Sequence, residues 1–180
     1  MLKNTQEHWG LVSKAFHWLT ALIIISLFGL GLWMVELSYY DPWYRKAPDL
    51  HKSLGIIVIS LMLLRLIWRV INPTPKSLAT HQTWERYLAH TVHIILYLLV
   101  FSIGITGYLI STADGRAIEV FNIISIPSLG MFIERQEDIA GWVHWVLAWT
   151  LITFVGLHLI GALKHHFIDK DATLVRMLHK

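Results

Sequence analysis

Residues 141–163 read GWVHWVLAWTLITFVGLHLIGAL, a stretch with no acid, no lysine and no arginine, but with two histidines, His144 and His158. As an α-helix rising about 1.5 Å per residue it reaches about 34 Å, enough to cross a hydrocarbon core of about 30 Å. Ionisable side chains at that depth are costly and usually functional, so two histidines in one span demand a reason. They are 14 residues apart. At about 100° per residue that spacing falls only about 40° short of four full turns. Both rings therefore point to one face, about 21 Å apart along the axis.

Three further apolar runs precede this one, at about 15–35, 52–71 and 87–110. Each is near the ~20 residues that a membrane span needs. The chain of 180 residues is 55% hydrophobic and 15% charged, whereas a soluble globule carries about 25% charged residues. The predicted fold is all-α, an integral membrane four-helix bundle forming a single domain over residues 1–180. The first run is too long for a signal-peptide core and lacks a small-x-small cleavage site, so it reads as a retained anchor. The linker SYYDPWYRKAPDL carries Pro42 and Pro48, which oppose helix continuation, and the second run stops at Asn72-Pro73-Thr74-Pro75. Within 111–140 the apolar stretch EVFNIISIPSLGMFI is broken by Pro127. It is expected to form a short interfacial helix or lid and not a fifth span.

Charge sets the predicted orientation. The N-terminus, the second linker, the inner helix ends and the tail hold Lys3, Lys14, Arg65, Arg69, Lys76, Arg86, Lys164, Lys170, Arg176 and Lys180. The opposite side holds Arg45, Lys46, Lys52, Arg116 and Arg135, and it also takes eight of the 12 acids. By the positive-inside rule both termini face the cytoplasm. The net charge of +3 is explained by that asymmetry, and nucleic-acid binding is not needed.

The sequence has no cysteine. Disulfides, thiolate-held zinc, iron–sulfur clusters and covalent c-type haem are thereby excluded. Any haem must be non-covalent and held by other side chains. Among 11 histidines, four form a pattern. His17 lies near the cytoplasmic start of the first run and His158 near the cytoplasmic end of the fourth. His51 and His144 both lie at outer starts. Two imidazoles at one height on facing helices can hold a haem iron from both sides, and the chain supplies that arrangement twice. Bis-imidazole ligation fills both axial positions and favours electron transfer over substrate binding at iron.

The remaining histidines are read differently. His90 and His93 are assigned to a supporting role or none, because their depth partners are taken. His165 and His166 are expected at the interface, and His8, His81 and His179 in solvent. Lys52, beside His51, is a candidate for neutralising propionates of an outer haem. Arg65 and Arg69 are candidates for an inner haem or a quinone carbonyl, against the competing reading of positive-inside anchors that snorkel.

With those residues in view, the chain resembles the bacterial cytochrome b561 family, small four-helix di-haem cytochromes of the inner membrane. The resemblance rests on KAFHWLTALI, on LHKSLGIIVISLMLLRLIWRVINPTP, on HTVHIILYLLVFSIGITGYLI, and on GWVHWVLAWTLITFVGLHLIGALKHHFIDKDATLVRML. It implies two haem b groups, one ligated by His17 and His158 and the other by His51 and His144. It further implies electron exchange with the quinone pool, and one family member is described as oxidising superoxide outside and reducing ubiquinone. The resemblance is compatible with a homodimer. The extended SYYDPWYRKAPDL loop and the long third loop are less family-typical and leave the outer electron donor unassigned.

Two other functions compete with this one. A looser similarity to the b-type subunits of hydrogenases and formate dehydrogenases points to a haem-bearing anchor for a separate catalytic subunit. A haem-free metal or proton transporter predicts histidines clustered near the midplane in broken helices, whereas these sit in two layers.

Overall fold

The computed structural model describes residues 1–178; His179 and Lys180, and with them the solvent-facing expectation for His179, lie outside the described residues. Four long helices dominate: α1 (Leu11–Met34), α2 (Lys46–Ile71), α3 (Thr83–Thr112) and α4 (Gln136–Phe167). All four are long and apolar enough to cross a membrane. Their exposed residues are largely apolar, including Leu22, Ile25, Leu98, Ile105 and Leu157. That surface is costly in water and suits lipid, where a helix satisfies its own backbone groups.

Local chemistry sets the helix ends. Asn72 is extended (φ −118°, ψ 146°) because Pro73 disfavours helical geometry in the residue before it. At the start of α3, Gln82 and Glu85 form a reciprocal capping box, satisfying backbone donors that have no helical partner. α4 opens with Glu137 and Asp138 and closes with Lys164, His165 and His166, which matches the helix dipole at both ends. Pro48 does not exclude helix as the sequence reading expected. It sits in the first turn of α2, where no intrahelical donor is lost.

The segment between α3 and α4 also departs from expectation. In place of an interfacial helix it forms a two-stranded antiparallel hairpin, β1 (Ile118–Val120) with β2 (Ile124–Ile126). Phe121 and Asn122 make the turn with φ of 50° and 56°. The hairpin docks on α2, where the backbone N–H of Phe121 donates to Ser53 Oγ at 3.1 Å. Tyr108 and Gln136 tie the following coil to α3. Tyr108 Oη donates to Pro127 O at 2.8 Å, and Gln136 Nε2 donates to Leu109 O at 3.0 Å.

At the other end the N-terminal segment, the α2–α3 linker and the tail are tied together. Asn4 Nδ2 donates to Pro73 O at 3.0 Å, and Trp18 Nε1 donates to Met177 O at 3.0 Å. The tail ends in a one-turn helix, α5 (Val175–Leu178).

Inside the bundle, α1 packs chiefly on α2 and α3 on α4, while the α1–α4 contact is slight. The chain is thus two helix pairs joined along a looser seam. A compact apolar cluster of Met62, Val100 and Leu151, flanked by Ile24, Ile59 and Val155, bridges the pairs. Leu151 lies seven residues from both His144 and His158, so this cluster separates the two histidine layers.

Candidate functional site

The seam carries both histidine pairs. His17 on α1 faces His158 on α4 with ring centroids 6.1 Å apart, and His51 on α2 faces His144 on α4 at 6.3 Å. The planes are inclined by 64° and 67°. These are the four histidines and the two pairings that the sequence singles out.

Each pair has a distinct surrounding. His144 Nδ1 lies 3.1 Å from the carbonyl oxygen of Ile103 and 3.1 Å from Thr106 Oγ1. A carbonyl only accepts, so Nδ1 carries the ring proton and Nε2 keeps its lone pair. Glycines allow the rings this close. A Cβ at Gly107 would meet His144 Cε1 at 3.3 Å, and one at Gly31 would meet His51 Cε1 at 3.3 Å. At Gly55, one turn beyond His51, an added Cβ would meet nothing within 4 Å.

In the inner layer Arg65 turns into the bundle. Its Nη2 lies 3.2 Å from His17 Nδ1, and its Nη1 donates to Thr20 Oγ1 at 3.3 Å. The guanidinium also stands over the Tyr97 ring at 5.6 Å. Arg69, one turn further along α2, is half-buried. Lys52, in the outer layer, forms an ion pair with Asp49 at 2.7 Å and lines an outer cleft with Lys46, Ser53, Arg116 and Glu119.

His93, which the sequence places outside the ligand pairs, has its ring centroid 5.1 Å from that of His158. The inner layer therefore holds three imidazoles. The signal was available: His93 is ten residues into α3, about the depth of His158 from the same end. His81 does not face solvent as its place in a polar linker suggests: its side chain is 16% exposed and pairs with Asp171. His8 is exposed, in line with expectation.

A family model described as prokaryotic cytochrome b561 matches residues 8–180. The chain belongs to the prokaryotic cytochrome b561 family. Cytochrome b561 homolog 2 of Escherichia coli K12 is 52% identical over 177 residues, covering 98% of this chain and 94% of the relative. The "Probable superoxide oxidase CybB" of Yersinia pestis is 30% identical over 175 residues, 97% of each chain. Cytochrome b561 homolog 1 of Escherichia coli K12 is 25% identical over 169 residues, 90% of this chain and 92% of the relative. Membership makes this a multi-pass protein of the bacterial inner membrane working in electron transport, and it implies haem b.

The residues present fit that group. An iron between two imidazoles has metal–nitrogen bonds of about 2 Å, and each nitrogen lies about 1.1 Å from its ring centre, so the centres stand about 6.2 Å apart. The His17–His158 and His51–His144 pairs match this spacing, whereas 5.1 Å for His93 and His158 is too short. Two buried polar atoms lack a hydrogen-bond partner among the described residues, His51 Nδ1 in the outer layer and Tyr97 Oη in the inner one. Such atoms cost about 1–3 kcal/mol each unless something meets them.

Proposed function

We propose that this chain is a di-haem cytochrome. His17 and His158 hold an inner haem b, His51 and His144 hold an outer one, and electrons pass across the membrane to or from the quinone pool. The observation that carries the reading is the ring separation of 6.1 and 6.3 Å, the spacing of bis-imidazole iron in both layers. When bound, the haems supply one-electron reduction and reoxidation of iron. The protein supplies ligands, orientation and environment.

His144 is oriented by the Ile103 carbonyl, which fixes the metal-ready tautomer. Arg65, with Arg69 beside it, supplies positive charge to the inner layer for propionates or a quinone carbonyl. Lys52 does the same in the outer layer, exchanging Asp49 for a propionate. The Met62–Val100–Leu151 cluster keeps water from connecting the layers. The charge asymmetry orients both termini to the cytoplasm, so the His51 layer and the hairpin face the outside. A superoxide donor at that face is supported by the relative named as a superoxide oxidase.

The test is an optical spectrum with pyridine haemochrome quantitation of the detergent-purified protein. Two b haems per chain, low-spin and six-coordinate, are expected. A chain that folds in haem-replete cells yet carries no haem would overturn the proposal. Quinone reduction by the isolated protein, with superoxide as donor, tests the two ends of the path.

A further inference from the structure

The stretch KHHFIDKD (164–171) lies outside the two facing histidine pairs, yet its side chains meet those of the α2–α3 linker in a tight cluster. Asp171 Oδ2 lies 2.9 Å from His165 Nδ1 and 3.2 Å from His81 Nε2. The two imidazole centroids are 4.6 Å apart. His81 comes from the linker, His165 from the last turn of α4, and Asp171 from the tail. The side chains of His81 and His165 are 16% exposed and that of Asp171 is 5% exposed.

We propose that His81, His165 and Asp171 form a site for one divalent transition-metal ion of the zinc class, which locks the C-terminal tail onto the α2–α3 linker. Three donor atoms from three chain segments converge within 4.8 Å of one another. Tetrahedral zinc with bonds of about 2.0–2.2 Å sets its ligand atoms about 3.3 Å apart. The two separations from Asp171 Oδ2, 2.9 and 3.2 Å, differ from this by a few tenths of an ångström, and the two imidazole nitrogens lie within 4.8 Å of each other. Two neutral imidazoles and one carboxylate are a zinc donor set, and three protein ligands leave a fourth position for water.

A second grouping, Glu85, His165 and Asp169, is less suited. Lys164 Nζ pairs with Glu85 at 2.5 Å and with Asp169 at 2.7 Å, so both carboxylates already have a cation. Among the described residues the Asp171 carboxylate meets the two imidazoles and Thr173 and no lysine or arginine. His165 Nδ1 also lies 2.9 Å from Asp169 Oδ2 and His81 Nε2 2.9 Å from Thr173 Oγ1, contacts that a bound ion would replace. The competing description is a hydrogen-bonded His–Asp–His clamp that needs no ion, and metal titration separates the two.

The experiment uses the full chain, haem-loaded, tag-free and stripped of metal with a chelator, then titrated calorimetrically with Zn²⁺ alone. One Zn²⁺ per chain is expected. Binding should weaken at least tenfold in His81→Gln and in Asp171→Asn, and stay unchanged in His8→Gln, which alters an exposed histidine outside the cluster. Zn²⁺ should also slow tryptic cleavage after the exposed Lys170 at least tenfold in the unaltered chain but not in His81→Gln. The haem spectrum reports whether each variant is folded. No Zn²⁺ binding by the unaltered chain at micromolar metal overturns the proposal. So does equal affinity in the unaltered chain and both cluster variants.

Discussion

Arg65 Nη2 lies 3.2 Å from His17 Nδ1, so a permanent donor faces a nitrogen that can donate or accept. A guanidinium never accepts, and therefore Nδ1 accepts and the neutral ring carries its proton on Nε2. A metal held through Nε2 requires the opposite tautomer, with the proton on Nδ1. Ligation and this hydrogen bond exclude one another, so if His17 holds the proposed inner haem, Arg65 has to leave Nδ1. It would then stay as a nearby cation opposing the oxidised, more positive haem. Arg65→Gln should keep both haems and lower the midpoint potential of the inner one by tens of millivolts, the scale of one partly buried charge at several ångströms. Redox titration checks it, and the outer potential should move far less.

The three imidazoles of the inner layer make different predictions. His158 takes part in the 6.1 Å pair with His17, while His93 stands 5.1 Å from it. His158→Ala should remove the inner haem and spare the outer one. His93→Phe keeps a ring against His158 and should retain two haems per chain, with a shifted inner potential from the changed polarity. Haemochrome quantitation of both variants decides this; loss of one haem in His93→Phe would make His93 the ligand.

Much of this arrangement was legible in the sequence because a membrane leaves few choices. Spans must be long and apolar, so GWVHWVLAWTLITFVGLHLIGAL declares itself, and the spacing of His144 and His158 fixes the layers. The hairpin was not legible: its turn places Phe121 at positive φ, which bulky side chains rarely adopt. Nor was the environment of His81, whose partners lie more than 80 residues away in the tail. Pro48 misled for a different reason, since the same residue that breaks a helix interior is harmless in a first turn.

Gln136 is 2% exposed and holds the outer loop from inside. Its Oε1 accepts from the Phe132 N–H at 2.8 Å, and its Nε2 donates to Leu109 O at 3.0 Å. Gln136→Leu keeps the volume roughly but strands both backbone groups. A loss of about 1–3 kcal/mol is expected, read as a lower unfolding midpoint in detergent. The outer haem should be released before the inner one on heating.

Gly107 and Gly31 give the sharpest steric test of the outer layer. A Cβ at either position would stand 3.3 Å from the Cε1 of a histidine, His144 for Gly107 and His51 for Gly31. Alanine asks the ring to yield by a few tenths of an ångström. Valine adds branches that the ring cannot escape, because His144 is also held by Ile103 and Thr106. Gly107→Ala should therefore retain two haems per chain, with the outer one bound more weakly. Gly107→Val should lose the outer haem and keep the inner one, since among the described residues a Cβ at Gly107 would meet His144 and no side chain of the inner layer. Overpacking of this kind costs about 1–3 kcal/mol, enough to change occupancy by one to two orders of magnitude. Haem quantitation across the two variants, with the inner signal as internal standard, reads the outcome. Full outer occupancy in Gly107→Val would show that His144 is not held at the ligand position by this wall.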